Sequence, residues 1–325
     1  MDARVKVFAV GALMLTALCG CGSVGVLLGL RTRLDKIPIT TLSASLSPEP
    51  GLAPGKSGRL IITATTADGT RYVTVGPGKG KVLFDSFTFD ANIVAVKKNG
   101  AVTLPADPRA SDGQTPQIKM SAKGHPDLVA QLDIPVRYDI AFKGHFSGRP
   151  GSPGSAGFDG LAGSGGSNGS IDLNNPSPGG NGSDGSNGSD GSDGTPGQPG
   201  QDVHVWITLS PGSPQLLQIH AASSIHEQFF LIDTHGGSLS VDANGGRGGA
   251  GGSGGRGGQG GSGGTGFPNG FSGQSGRDGS DGRPGADGKP GSIVVSVDPQ
   301  AQPYLSKFTF SPAAKIVVEP VSPLW

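Results

Sequence analysis

Glycine stands at every third position in four separate blocks, Gly148–Gly169, Gly179–Gly200, Gly245–Gly266 and Gly270–Gly291. Each block holds eight in-phase glycines. The phase breaks only at Ser170–Pro178, across Gln201–Asn244 and at Phe267–Asn269. Random low complexity is not expected to give four equal lengths. On a left-handed threefold helix Gly, X and Y form three rows, and a Gly row lets a neighbouring backbone come close. At ~3.1 Å per residue each block would run roughly 70 Å. Connections after the first and third blocks would fold them as two antiparallel hairpins of matched length.

Gly-X-Y repeats suggest collagen, where only Gly fits the axis of three chains. Here proline is sparse, the blocks are short, and a long apolar-patterned segment interrupts them. The repeat geometry resembles instead the polyglycine-II bundles of springtail glycine-rich antifreeze proteins and phage tail-fibre tip adhesins. That resemblance covers about half the chain and implies a bundle formed within one polypeptide. An intermolecular collagen-like trimer acting as a stalk, and a flexible Gly/Ser linker, are the competing readings.

In the third block the X row, Gly246 to Gly264, is also glycine, so two of three rows are bare and the block is expected in the centre. The second block carries Ser183, Ser186, Ser189 and Ser192 on one row and Asp184, Asn187, Asp190 and Asp193 on the next. The fourth carries Arg277, Arg283 and Lys289 on X, and Asp278, Asp281 and Asp287 on Y. Regular charge of this kind reads as solvated faces. Phe158 and Leu161 interrupt the polar row of the first block and read as a local packing patch. Strand-like runs adjoin the blocks without linkers: Val203–Leu209, Leu216–Ile219, Gln228–Ile232, Leu239–Val241, Ile293–Val297, Phe308–Phe310 and Ile316–Val318. Residues 142–325 are therefore expected to form one domain, in which a small β-sheet clamps the ends of the helices.

Residues 39–141 alternate short β-type runs with turn signals. Leu60–Thr65 is followed by a turn at Asp68-Gly69, and Asn99-Gly100 makes a hairpin into Ala101–Leu104. Ile118, Met120 and Ala122 alternate with polar residues, and no window shows a helical period. About seven strands in roughly 100 residues fit an immunoglobulin-like sandwich. The pattern resembles the bacterial Ig-like domains of surface proteins, around Pro54-Gly55-Lys56-Ser57 and Ala67-Asp68-Gly69-Thr70. The fold class expected is all-β: an Ig-like β-sandwich, then a small sheet carrying a four-stranded bundle of polyglycine/polyproline II helices.

The amino terminus has Arg4 and Lys6 before an apolar run, Val7–Leu18, as an export signal does. Leu18-Cys19-Gly20-Cys21 resembles the bacterial lipobox. The resemblance implies cleavage after residue 20, a diacylglycerol on Cys21, a tether over 21–38 and, with Gly22 following, sorting to an outer membrane. The alternative is an uncleaved span: Val7–Leu30 is 24 residues without a charge, and about 20 suffice. Both readings put the body outside the cytoplasm.

Twenty-five basic and 25 acidic residues give zero formal charge, which argues against a nucleic-acid partner. Cys19 and Cys21 are the only cysteines, so the body has no disulfide framework and no thiolate metal site. Gly179–Asp184 matches the start of a calcium-binding nonapeptide, but the period is three rather than nine. His125, His145, His204, His220, His226 and His235 show no ligand spacing. No catalytic motif, cofactor site or metal site is expected. The reading is a non-enzymatic, surface-anchored structural or adhesive lipoprotein, monomeric rather than trimeric, with protein or glycan partner unassigned. The alternative is an ice- or glycan-surface binder using the Ser row of the second block.

Overall fold

The computed structural model describes residues 31–48, 50–75 and 81–325. Cys21 and the apolar segment Val7–Leu30 lie outside them. The described chain is all-β, with strands in four sheets and only short 3₁₀ turns.

The first region contains β1 (Arg31–Thr32), β2 (Ile39–Ser47), β3 (Ser57–Thr66), β4 (Arg71–Val73), β5 (Lys81–Val82), β6 (Phe87–Ala91), β7 (Ala95–Val96), β8 (Ala101–Thr103), β9 (Gln117–Ala122) and β10 (His125–Asp133). A seven-stranded sheet runs β1-β5-β4-β3-β8-β7 with β2 also on β3, and a three-stranded sheet runs β10-β9-β6. Because strand side chains alternate, β3 sends Leu60, Ile62 and Ala64, and β9 sends Ile118, Met120 and Ala122, into one core where each is at most 1% exposed. Asn99-Gly100 turns between β7 and β8, with Gly100 at φ 81° and the Asn99 carboxamide accepting from Ala101 N at 3.1 Å. Residues 31–37, read from the sequence as tether, belong to this region: β1 pairs with β5 and Leu34 is fully buried. Its two apolar side chains, Leu34 and Ile37, both pack on the core but are too few to carry a periodicity that can be read.

The second region contains β11 (Ala141–His145), β12 (Val203–Ser210), β13 (Ser213–Ala222), β14 (Glu227–Asp233), β15 (Ser238–Asp242), β16 (Ile293–Val297), β17 (Phe308–Ser311) and β18 (Lys315–Val318). One sheet runs β11-β15-β17 and the other β14-β13-β12-β16-β18. Phe146, Val205, Ile207, Leu217, Ile219, Val241 and Val295 fill the space between them, all fully buried.

The glycine blocks grow out of these two sheets. β11 runs into the first block and β15 into the third; the second block runs into β12 and the fourth into β16. All four junctions therefore lie at one end, and the loops 170–178 and 267–269 lie at the other. β11 and β15 pair in parallel, Ala141 with Ser238, and β12 and β16 pair in parallel, Val203 with Ile293. Each parallel strand pair continues as a parallel pair of blocks in the same register: Gly148 N donates to Asn244 O, and Gly200 N to Lys289 O.

Candidate functional site

The blocks hold one another by backbone hydrogen bonds repeated every three residues. In the first block every in-phase Gly N from 148 to 169 donates to a carbonyl of the third block or, for Gly148, of Asn244 just before it, at 2.6–2.8 Å. The in-phase Gly N of the second block donate to the fourth block from Gly182 to Gly200 at 2.9 Å, and Gly179 N to Pro268 O at 3.0 Å. Three antiparallel ladders cross between these pairs. Ser189 N donates to Phe158 O, Gly255 N to Ser189 O, and Gly279 N to Gly255 O, and each repeats along the length. The third block thus bonds to all three others, and so does the second, whose central position its side chains hide in the sequence.

Many of the amides these ladders leave over are capped by side chains. Ser183, Ser186, Ser189, Ser192 and Thr195 each accept, through the side-chain oxygen, from a first-block amide at 2.7 Å: Ser164, Leu161, Phe158, Ser155 and Ser152 in turn. Asn181, Asp184, Asn187, Asp190 and Asp193 accept through Oδ1 from the amides of Phe271, Gln274, Arg277, Ser280 and Arg283 at 2.6–2.9 Å. Asp278, Asp281 and Asp287 do the same for Gly257, Gly254 and Gly248. These rows read from the sequence as solvated faces. They are exposed, and the Ser, Asn and Asp among them are also inter-block caps, because a short side-chain oxygen on one block reaches the next block's free amide. Asn181 and Asp184 of the calcium-like hexapeptide are engaged in the same way.

Proline follows the same logic. Pro150, Pro153, Pro196, Pro199, Pro284 and Pro290 all occupy Y positions of the first, second and fourth blocks. No Y-row amide of these three blocks donates a hydrogen bond within the chain. Proline lacks the N–H, so it is confined to the row where none is used.

What the shaft leaves outward is apolar in two places. Phe158 and Leu161, expected to pack locally, are 84% and 79% exposed. Their backbones are consumed by the ladders while their side chains meet no apolar neighbour row. The second place is the loop end, with Ile171, Leu173, Phe267 and Phe271.

At the opposite end, rings of His204, Trp206, His220 and Phe229 stack across the five-stranded sheet with centroids 4.0, 5.2 and 4.3 Å apart. Burial there holds the His204 imidazole below its ordinary pKa, with Glu319 opposing the shift. The carboxy-terminal Trp325 stands edge-on to Phe229 and donates from Nε1 to Asp112 of the first region at 2.8 Å. Arg109 lies over the same Phe229 ring at 3.7 Å. Beside this seam a cleft of about 750 Å³ is lined by Pro54, Lys56, Phe142, Lys143, His226 and Phe230, among others. Of the six histidines, His145 and His226 line this cleft, His235 lies against Asp233, and the ring of His125 has a buried Nε2 without a partner. No group of three His, Cys, Asp or Glu side chains among the described residues could hold a metal ion.

No helix among the described residues is long and apolar enough to cross a membrane. No family model, no curated protein and no solved structure matches this chain.

Proposed function

We propose that this protein is a non-enzymatic structural or adhesive lipoprotein of the bacterial cell envelope. A diacylglycerol on Cys21 anchors it, residues 39–141 form an Ig-like spacer, and the glycine blocks form a shaft of four left-handed polyglycine/polyproline II helices. The observation that carries the reading is the saturation of the shaft. Backbone amides on two parallel and three antiparallel block interfaces, mostly those of glycine, find carbonyls within the same chain, and Ser and Asx side chains cap many others. An object built this way is long, stiff and without concavity, which suits holding things apart rather than turning over a substrate. Intrachain pairing also favours a monomer over a collagen-like trimer. The alternative, an ice- or glycan-surface binder, would use the Ser row of the second block, whose exposed hydroxyls accept one bond each from the first block and keep a donor.

Two measurements test this. Mass spectrometry of the mature chain should find the lipid on Cys21 and the first 20 residues removed; an intact amino terminus would replace the lipid anchor by a span. Sedimentation should give a monomer with a polyproline-type far-UV circular dichroism spectrum. A concentration-dependent trimer would overturn the single-chain shaft.

A further inference from the structure

Four of the ten large hydrophobic side chains exposed among the described residues crowd the loop end of the shaft: Ile171 at 74%, Leu173 at 86%, Phe267 at 65% and Phe271 at 79%. The two loops that carry them form one unit, since Phe267 N donates to Ser177 O at 2.9 Å and Gly179 N to Pro268 O at 3.0 Å. Across residues 170–178 and 267–271 the only ionisable side chain is Asp172. Its carboxylate already accepts from Asn174 N at 2.9 Å.

Most of the backbone amides there are also satisfied internally, those of Ile171, Leu173 and Asn269 excepted. Ser170 N, Asp172 N and Asn175 N find Ser177 Oγ, Ser170 Oγ and Asp172 O, while Pro176, Pro178 and Pro268 have no N–H to lose. Polar backbone without partners is what bars a loop from a low-dielectric layer. Size argues against a protein as the occupant. Residues 170–178 and 267–271 amount to fourteen, whereas a stable protein interface uses roughly 20–30 on each side. Insertion into lipid needs only a few apolar side chains, and Phe and Leu are among those that interfacial elements bury at the headgroup–acyl boundary.

We propose that the tip inserts end-on into the interfacial layer of a lipid bilayer, with Ile171, Leu173, Phe267 and Phe271 as the inserting side chains. The inference uses the shaft but not the lipid on Cys21, so either can fail without the other.

The test places a tryptophan at the tip (Phe271→Trp) or halfway down the shaft (Phe158→Trp) in the full-length chain. Each is mixed with phosphatidylcholine vesicles brominated on the acyl chains. Trp206 and Trp325, at the far end, give a constant background. Quenching above background for Phe271→Trp and none for Phe158→Trp is the expected result. Adding Ile171→Ser and Leu173→Ser to Phe271→Trp should abolish it, while the melting temperature of these exposed-site variants stays unchanged. No quenching at the tip overturns the proposal, and so does equal quenching at both positions, which would mean a shaft lying flat. Mass spectrometry at Cys21 reports the anchor separately.

Discussion

Gly255 is a position where the single-chain shaft can be broken by one methyl group. It lies mid-way along the third block on a fully covered row, while Ser253 two residues earlier is exposed. A Cβ at Gly255 would overlap the carbonyl oxygen of Phe158 and stand 2.9 Å from Asp159 N. Neither atom can yield, because both belong to the first-block backbone, so the two blocks must separate. Four hydrogen bonds meet at that point: Gly157 N to Ser253 O at 2.7 Å, Gly160 N to Arg256 O at 2.7 Å, Gly255 N to Ser189 O at 2.9 Å and Gly279 N to Gly255 O at 2.7 Å. At about 0.5–1.5 kcal/mol net each, losing all four costs about 2–6 kcal/mol, a large part of the about 5–15 kcal/mol that holds a domain folded. Ser253→Ala should shift stability by no more than about 0.5 kcal/mol, as exposed sites do. Urea titration followed by circular dichroism gives the comparison, and hydrogen exchange at Gly157, Gly160 and Gly279 locates it. If Gly255→Ala unfolds at the same urea concentration as Ser253→Ala, with those amides still protected, the close-packed arrangement is wrong.

Proline should discriminate the rows: Ala156→Pro, on an unused Y amide, is expected to be neutral or stabilising by up to about 1 kcal/mol. Ser155→Pro removes the amide that bonds Ser192 Oγ at 2.7 Å and should lower the melting temperature; equal effects would refute the row assignment. Asp190→Asn keeps the Oδ1 acceptor for Ser280 N and should leave that amide protected from exchange, whereas Asp190→Ala should deprotect it. The amide of Ser292, then its hydroxyl, holds the Asp202 carboxyl below its ordinary pKa. A depressed folded pKa gives stability that is present above the unfolded value of about 3.9 and is lost as pH falls through the lower folded value. Asp202→Asn should therefore flatten the acid limb of a melting-temperature profile, and coincident profiles would remove the linkage. Deleting Trp325 breaks its bond to Asp112, with an expected loss of about 1.5–3 kcal/mol for a bond to a charged group. Small-angle scattering should then show the two regions moving apart, and an unchanged envelope would deny Trp325 that role.

The strands were legible where local rules suffice. Alternation marked Leu60–Ala64 and Ile118–Ala122, and Asn99-Gly100 marked its hairpin. Equal block lengths gave the segment boundaries, and a second bare row marked the third block as central. What stayed hidden depends on neighbours. Ser189 faces water and also caps Phe158 N; the cap is set by which block lies beside it, and the sequence of one block says nothing of that. The second block's central place was masked because its Ser and Asx side chains look like solvent chemistry. Phe158 and Leu161 look like packing chemistry, yet their row points outward. At the tip, the nine-residue loop has no period at all, and only the meeting of two sequence-distant turns makes Ser177 and Phe267 neighbours.

A shaft of identical triplets has a register problem that its own contacts cannot solve. Sliding one block by three residues past another puts glycine opposite the same backbone again, so the ladders are nearly indifferent to the slip, as weakly patterned strands are. The sheets at the base are not indifferent. Ala141 pairs with Ser238 and Val203 with Ile293, and a slip there would move Phe146, Val205 and Val295 out of a filled core. The same separations in sequence then persist up the shaft, from Gly148 against Asn244 to Gly169 against Thr265. The caps add a weaker check, since Pro196 and Pro199 interrupt the Asx row and Pro284 interrupts the Asp row. Aperiodic apolar packing at one end thus sets the register, and the periodic backbone carries it to the tip. A chain that must project a small apolar tip on a narrow shaft can do so with almost no hydrophobic core along the way, provided it keeps one at the base.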